Sequence, residues 1–469
     1  MRCVHSRAAI SGRTTCFLSR RVAVWLALFI ASKNGVGQTS LDLTNLTSIK
    51  RPINGFQVNS ASSYMGVFSL SEPRDAPFAL SGFPRGFIPG GGAAASFGWY
   101  STSPSKKISV GYDISYDGNL RYSALNSLNH LLLFDYRTKL APRLDLTVSA
   151  VAESTGLAEY LFRAPGELRV VQQSGSPEEF AGGVLGGTFS SLSSSLPLTD
   201  LPVTDSPLTA FISDSRLESA SAGMNFTYSQ SRRMRLHSGF LVRRNVPKPS
   251  ASPQGRSGLL FPSYSDGTAY YGFSYSLSRQ TDIGADVGYF RTRSARHDSY
   301  TTRTLASLGR RLTKEWLIRI QGGFGTLAQL HPDAYAPKSL EYEVAAMLGY
   351  RSAAHSVLAS VHRSIGDRHG LDAGNTVTSN LVWSWQRPGG KWAVTSSGGY
   401  ESLGGRGVRR TEGWLAHAGV TRHITRQTSC TMEYVHGSSE GGTRLGFTNL
   451  VRRAARVSVV WTPLVGSLR

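Results

Sequence analysis

From Ile108 the chain places Ile108, Val110, Tyr112, Ile114 and Tyr116 on one face and Ser109, Gly111, Asp113 and Ser115 on the other. A side-chain period of two marks a strand whose two faces meet different surroundings. The pattern returns as Ala269, Tyr271, Phe273, Tyr275 and Leu277 against Tyr270, Gly272, Ser274 and Ser276. It returns again as Ile283, Ala285, Val287 and Tyr289 against Asp282, Gly284, Asp286 and Gly288. Two further runs carry Ala222, Met224, Phe226 and Tyr228, and Val377, Ser379, Leu381, Trp383 and Trp385, on the larger face. Each segment is about nine residues long, the length of a tilted strand that crosses a bilayer core. After the N-terminal segment no stretch approaches the roughly 18 continuous apolar residues of a spanning helix.

The connections carry a second regularity. Short polar turns are expected at 103–106, 139–143, 231–233, 279–281, 313–315, 353–354, 388–390 and 425–427. Longer connections alternate with them at 117–126, 155–215, 245–267, 294–299, 329–338, 366–375, 404–410 and 438–443. Short turns on one side and longer loops on the other are what a membrane-spanning antiparallel barrel requires, whereas a Greek-key sandwich has no such rule. Counting between the connections predicts seventeen strands from Ala93 to Trp461. A further strand over 54–68 makes about eighteen, with sixteen as the nearest alternative; an even total leaves both termini on the short-turn side.

Residues 1–37 hold Arg2, Arg7, Arg13, Arg20, Arg21 and Lys33 and no acid. A basic stretch, the apolar run from Val22 to Ala31 and the small residues Gly35, Val36 and Gly37 read as a cleaved export signal, since ten apolar residues are too few to span. Its removal would lower the net charge from +21 to +15 and leave Cys430 as the mature chain's one cysteine, which excludes an internal disulfide. The expected organisation is a signal peptide over 1–37, a periplasmic segment over 38–53 and a barrel over 54–469 interrupted by the long loop 155–215.

With these features together, the chain resembles the porin-like outer-membrane β-barrel class across nearly all of its mature length. The terminal strand with Ala455, Val457, Val459 and Trp461 supplies the aromatic that the assembly machinery reads in such barrels, although Thr462 to Arg469 follow it. A basic eighteen-stranded member looks most like barrels that export or take up anionic saccharides. The resemblance implies a bacterial outer-membrane location, contact with membrane lipid and lipopolysaccharide, and a hydrophilic solute or anionic polysaccharide as cargo.

In such a barrel the large face meets lipid and the small face lines the lumen. Aromatics including Tyr112, Tyr116, Tyr228, Tyr289, Trp316, Tyr342, Tyr350, Trp392, Trp414 and Trp461 then fall outward, where interfacial belts are expected. Inward positions hold Arg137, Arg235, Arg243, Arg303, Arg311, Arg319, Arg351 and Arg456 beside Asp113, Asp135, Asp145, Glu153, Asp282, Asp286, Glu341, Glu343 and Glu433. The lumen is therefore mixed in sign, and the surplus of 51 Lys+Arg over 30 Asp+Glu sits in turns, loops and strand ends. Rim arginines such as Arg244, Arg291 and Arg293 suit lipopolysaccharide phosphates or an anionic polymer. Arg235, Arg303, Arg319 and Arg351 are the expected solute contacts, as donors to hydroxyl, carboxylate or phosphate groups. Within loop 155–215, Pro177-Glu178-Glu179-Phe180 opens a helical turn ahead of a Gly/Ser-rich run. Folded inward, the loop would form a constriction at which Glu178, Glu179 and Asp200 meet the luminal arginines; folded outward it would be a lid.

Nucleic-acid binding is excluded by the export signal and by arginines scattered without a recognition motif. No cofactor is expected, and a metal site finds no His pair at ligand spacing. A hydrolase needs a triad that His237, His355, His362, His417 and His436 do not form by spacing. The G-x-S-x-G match Gly437-Ser438-Ser439-Glu440-Gly441 falls between strands rather than at a strand-to-helix elbow. A pore without enzymatic activity is the expected function. A closed structural or adhesive barrel and an outer-membrane hydrolase are the alternatives.

Overall fold

The computed structural model describes residues 54–71, 86–120, 126–155, 180, 184, 215–249, 263–294, 298–329, 339–367, 373–405, 411–440, 449–463, all within the unit Val36–Arg469. The expectations for 1–37 and 38–53 lie outside them. Eighteen strands follow one another. The first six are β1 (Gly55–Ser71), β2 (Ile88–Thr102), β3 (Lys106–Asn119), β4 (Ser127–Ala141), β5 (Leu144–Thr155) and β6 (Ser215–Ser229). Next come β7 (Met234–Pro249), β8 (Tyr264–Ser276), β9 (Thr281–Ser294), β10 (Asp298–Arg311), β11 (Trp316–Gln329) and β12 (Ser339–Arg351). The last six are β13 (His355–Asp367), β14 (Ala373–Gln386), β15 (Trp392–Gly405), β16 (Thr411–His423), β17 (Thr428–Glu440) and β18 (Asn449–Trp461).

Every strand pairs antiparallel with its sequence neighbours, and β1 pairs β18 from Ala61↔Trp461 to Ser71↔Val451. The sheet is a closed ring with no free edge, which is how a backbone satisfies its amides without water. Short turns are stabilised locally by a hydroxyl at their first residue. The amides of Met234, Trp316, His355 and Thr428 donate to Ser231, Thr313, Ser352 and Thr425 at 2.9–3.1 Å.

The distribution of polarity is inverted relative to a water-soluble fold. Met65, Phe324 and Tyr271 stand 72%, 62% and 55% exposed on the outer face, whereas Glu343 and Arg319 on the inner face are 1% and 3% exposed. Outward aromatics form two girdles. Trp316 and Tyr350 touch at the short-turn end with ring centroids 4.8 Å apart, and Phe324 pairs with Tyr342 eight residues further along β11. Eight residues span roughly 26 Å along a strand, before tilt, which suits an apolar band about 25 Å tall.

Four sequence expectations need correction. The strands run 12 to 17 residues rather than about nine, because the hydrogen-bonded sheet continues past the apolar band to a polar rim. The second strand accordingly starts at Ile88, five residues before Ala93. Only 295–297 separate β9 from β10, so the long side contains one connection as short as a turn. The Gly437 to Glu440 segment lies inside β17, not between strands, so Ser438 and Ser439 are ladder residues opposite Trp414 and Gly413. Finally, the inner face is not uniformly small and polar: Leu131, Leu358, Val382 and Val435 sit on it with at most 2% exposure.

Candidate functional site

The inner face carries a charge lattice built by register. On β7 to β9, His237, Gly272 and Asp286 share one row. Glycine leaves the middle position vacant, so the His237 ring reaches across β8 and its Nε2 meets Asp286 Oδ1 at 2.7 Å. A second row runs Asp282, Gly309, Arg319, Met347, and places the buried Arg319 guanidinium beside the acids of β9. Arg303 lies with its guanidinium 4.1 Å over the Phe290 ring and 3.9 Å from Glu343. Nearer the long-connection end, Arg243 clamps Asp266 with Nε at 3.0 Å and Nη2 at 2.5 Å.

The wall around the closure seam holds a second network. Glu433 on β17 accepts from Arg456 on β18 at 2.5 Å and lies 3.5 Å from His417 on β16. Arg456 stands 5.7 Å from the Tyr64 ring centroid on β1. Tyr64 lies across Gly92 and donates its hydroxyl to Asp117 on β3, which also accepts from Asn129 and from Ser127 at 3.3 Å. Charge and hydroxyl thus bridge the junction between the first and last strands. Tyr64→Phe removes a donor to a buried carboxylate and is expected to lower stability by about 1–3 kcal/mol. An unchanged denaturant midpoint for the folded barrel would refute that role.

By strand register Arg137, Arg235, Arg303, Arg319, Arg351, Asp113, Asp282, Asp286, Glu341 and Glu343 occupy rows that alternate with the exposed apolar positions. Asp113, Asp286, Arg319 and Glu343 are buried, and Asp282 sits near a short turn. Arg235 is exposed near the short-turn end, as is Arg137, which pairs with Asp135 at 2.8 Å. Glu341 turns instead to Arg363 on β13, 3.3 Å away, whose guanidinium stacks 3.7 Å over Tyr342. Glu178, Glu179 and Asp200 lie outside the described residues. Sequence reasoning missed Tyr64, Asp117, Asp266 and Glu401. Asp117 and Asp266 read as connection residues from the sequence because a nine-residue strand ends before them, whereas the ladder continues through both. The His237–Asp286 contact was also invisible, being 49 residues apart in sequence and joined only through a glycine gap.

From the long connection, Phe180 and Val184 are helical, one turn apart, and 1% and 0% exposed. Both pack on the inner face of β12, where a Cβ on Gly349 would stand 3.0 Å from Val184 Cγ2 and 3.1 Å from Phe180 Cε1. Arg351 lies 5.6 Å from the Phe180 ring. Gly349 is three residues from a short turn, so these side chains reach the far end of the interior from the rim where β5 and β6 emerge. Among the described residues no group of three His, Cys, Asp or Glu side chains is placed to hold a metal ion.

No family model matches the chain, and no curated protein does. Similar solved structures include Pseudomonas aeruginosa OpdL, at 11% identity over 87% of this chain and 98% of that one, with a TM-score of 0.41. Pseudomonas aeruginosa OccK2 (OpdF) in complex with glucuronate matches at 11% identity over 86% and 96%, with a TM-score of 0.42. Acinetobacter baumannii OccAB4 matches at 7% identity over 87% and 99%, with a TM-score of 0.40. By its own ring of eighteen antiparallel strands, with polar residues inward and apolar residues outward, this chain is a porin-like β-barrel.

Proposed function

We propose that the protein is a bacterial outer-membrane pore through which small hydrophilic solutes pass passively, reached by export through a cleaved signal over 1–37. The observation that carries this reading is the inversion of polarity in a closed ring: buried charge inside, and an exposed apolar band with two aromatic girdles outside. Inner rows of opposite sign would set a transverse field that orients a solute without one strong binding site. Arg235, Arg303, Arg319 and Arg351 serve as donors along the wall. Phe180 and Val184, packed on the inner wall, serve as the apolar anchor of a constriction, to which Glu178, Glu179 and Asp200 of the same connection would bring acidic side chains.

Small solutes fit better than a polysaccharide chain, because a polymer needs a wide continuous bore and much of this wall is closed to solvent. The same observation favours a second reading. Leu131, Leu358 and Val382 have no exposed surface on an inward face, as expected of a filled structural or adhesive barrel. Single-channel conductance of the refolded chain in a planar bilayer separates the two. A steady open level supports the pore, and a silent but folded barrel supports the filled form.

Arg235→Glu probes selectivity at an exposed luminal position. A unit charge at about 8 Å contributes about 0.5 kcal/mol in water. Reversing one charge moves a cation by about 1 kcal/mol and an anion by about as much the other way, so the cation-over-anion permeability ratio is expected to shift roughly thirtyfold toward cations at low salt, read as reversal potential under a salt gradient. An unmoved reversal potential would place Arg235 off the conduction path.

A further inference from the structure

The geometry points to a binding site for a phosphorylated acyl lipid of the outer leaflet on the outward face of β7, β8 and β9. It rests on the membrane reading above but concerns the opposite face of the sheet. β8 presents only Ser265, Gly267 and Ala269 outward over this stretch, and nothing lies within 4 Å of a Cβ built on Gly267. Longer side chains flank each of these small residues. Ser265 lies between Arg244 and Arg293, Gly267 between Val242 and Arg291, and Ala269 between Phe240 and Tyr289. The result is a trough two strand spacings wide, roughly 10 Å between its walls, and about 13 Å long.

The trough is graded in chemistry along its length. Its end nearest the long connections is cationic, and the end toward the middle of the strands is apolar, with Phe240, Val242 and Tyr289 47%, 53% and 43% exposed. An amphiphile with an anionic head and an acyl chain matches both ends at once. Guanidinium forks select phosphate because they bond two of its oxygens together. Asp298, the register partner of Arg293, instead engages Arg291 at 3.1 and 2.9 Å. Among the described residues no carboxylate lies within ion-pair distance of Arg244 or Arg293, so their charge faces the head. The outward Arg363 differs, since Glu341 and the Tyr342 ring take up its charge.

The test uses the full chain refolded in detergent, with lipid retention read by native mass spectrometry. Probes are hexa-acylated diphosphoryl lipid A, phosphatidylglycerol and inorganic phosphate. One lipid A is expected per barrel, weakened roughly tenfold or more by the double variant Arg244→Gln/Arg293→Gln. Gly267→Phe should weaken it similarly by filling the trough while both arginines remain, without lowering the unfolding midpoint. Arg310→Gln, outward at the short-turn end, should leave retention unchanged. Equal retention by the double variant, or equal retention of phosphatidylglycerol, overturns the proposal. Displacement by inorganic phosphate identifies a free-anion site and overturns the lipid assignment. A chain that never enters bilayers or detergent as a heat-modifiable barrel overturns the membrane reading, and this proposal with it.

Discussion

Replacing Phe180 and Val184 together with alanine is expected to raise single-channel conductance several-fold and to make the open level noisier, while the barrel itself stays folded. The two side chains are buried against Gly349 on the inner wall, and the Phe180 ring lies near Arg351. Truncating a buried phenylalanine costs about 3–5 kcal/mol, and removing two methyls from valine adds about 1.6 kcal/mol. A shift near 5.5 kcal/mol is enough to invert a population from about 99:1 to 1:99. The anchored arrangement should therefore give way to one in which the connection leaves the wall. Aspartate would be a poorer probe, because the Arg351 guanidinium lies 5.6 Å from the ring position and would attract a carboxylate placed at residue 180. An unchanged conductance in an open pore would mean that the connection does not narrow the path. A variant that conducts only after both truncations would identify the filled barrel as the native form.

Gly272→Val is expected to destabilise the inner wall strongly. A Cβ at that position would fall within the contact shell of Asp286 Oδ1, 2.5 Å from His237 Nε2 and 2.7 Å from the Ala285 carbonyl. The backbone carbonyl cannot move without disturbing the ladder, so the His237–Asp286 contact must part. Parting a buried hydrogen bond to a carboxylate costs about 1–3 kcal/mol. The expected outcome is a large drop in the urea midpoint of the refolded barrel. Gly267→Ala on the same strand is the control, since it faces outward into open space and should be nearly neutral. Equal midpoints for the two variants would show that the pair contributes nothing to the wall.

Much of this barrel is legible because two faces of each strand meet two different media. The alternation from Ile108 to Tyr116 gives the direction of every side chain on β3, and the same parity places Arg319 and Glu343 inward without knowledge of any contact. Strand ends were less legible. Once a strand rises above the apolar band its outer residues need no longer be apolar, so Asp117 and Asp266 look like loop residues although the ladder continues through them.

The amino-acid sequence alone carried the architecture: about eighteen antiparallel strands, their order, and the face assigned to the charges within the apolar-patterned part of each strand. These follow from local periodicity and turn chemistry, which act over a few residues. Only the tertiary structure decided which charges meet. His237 finds Asp286 because register sets a glycine between them, Tyr64 finds Asp117 because the last strand closes on the first, and Phe180 finds Gly349 because the wall leaves room there. Each of these contacts depends on which strands become neighbours and on what fills the space between them, and those are properties of the closed ring rather than of any segment in it.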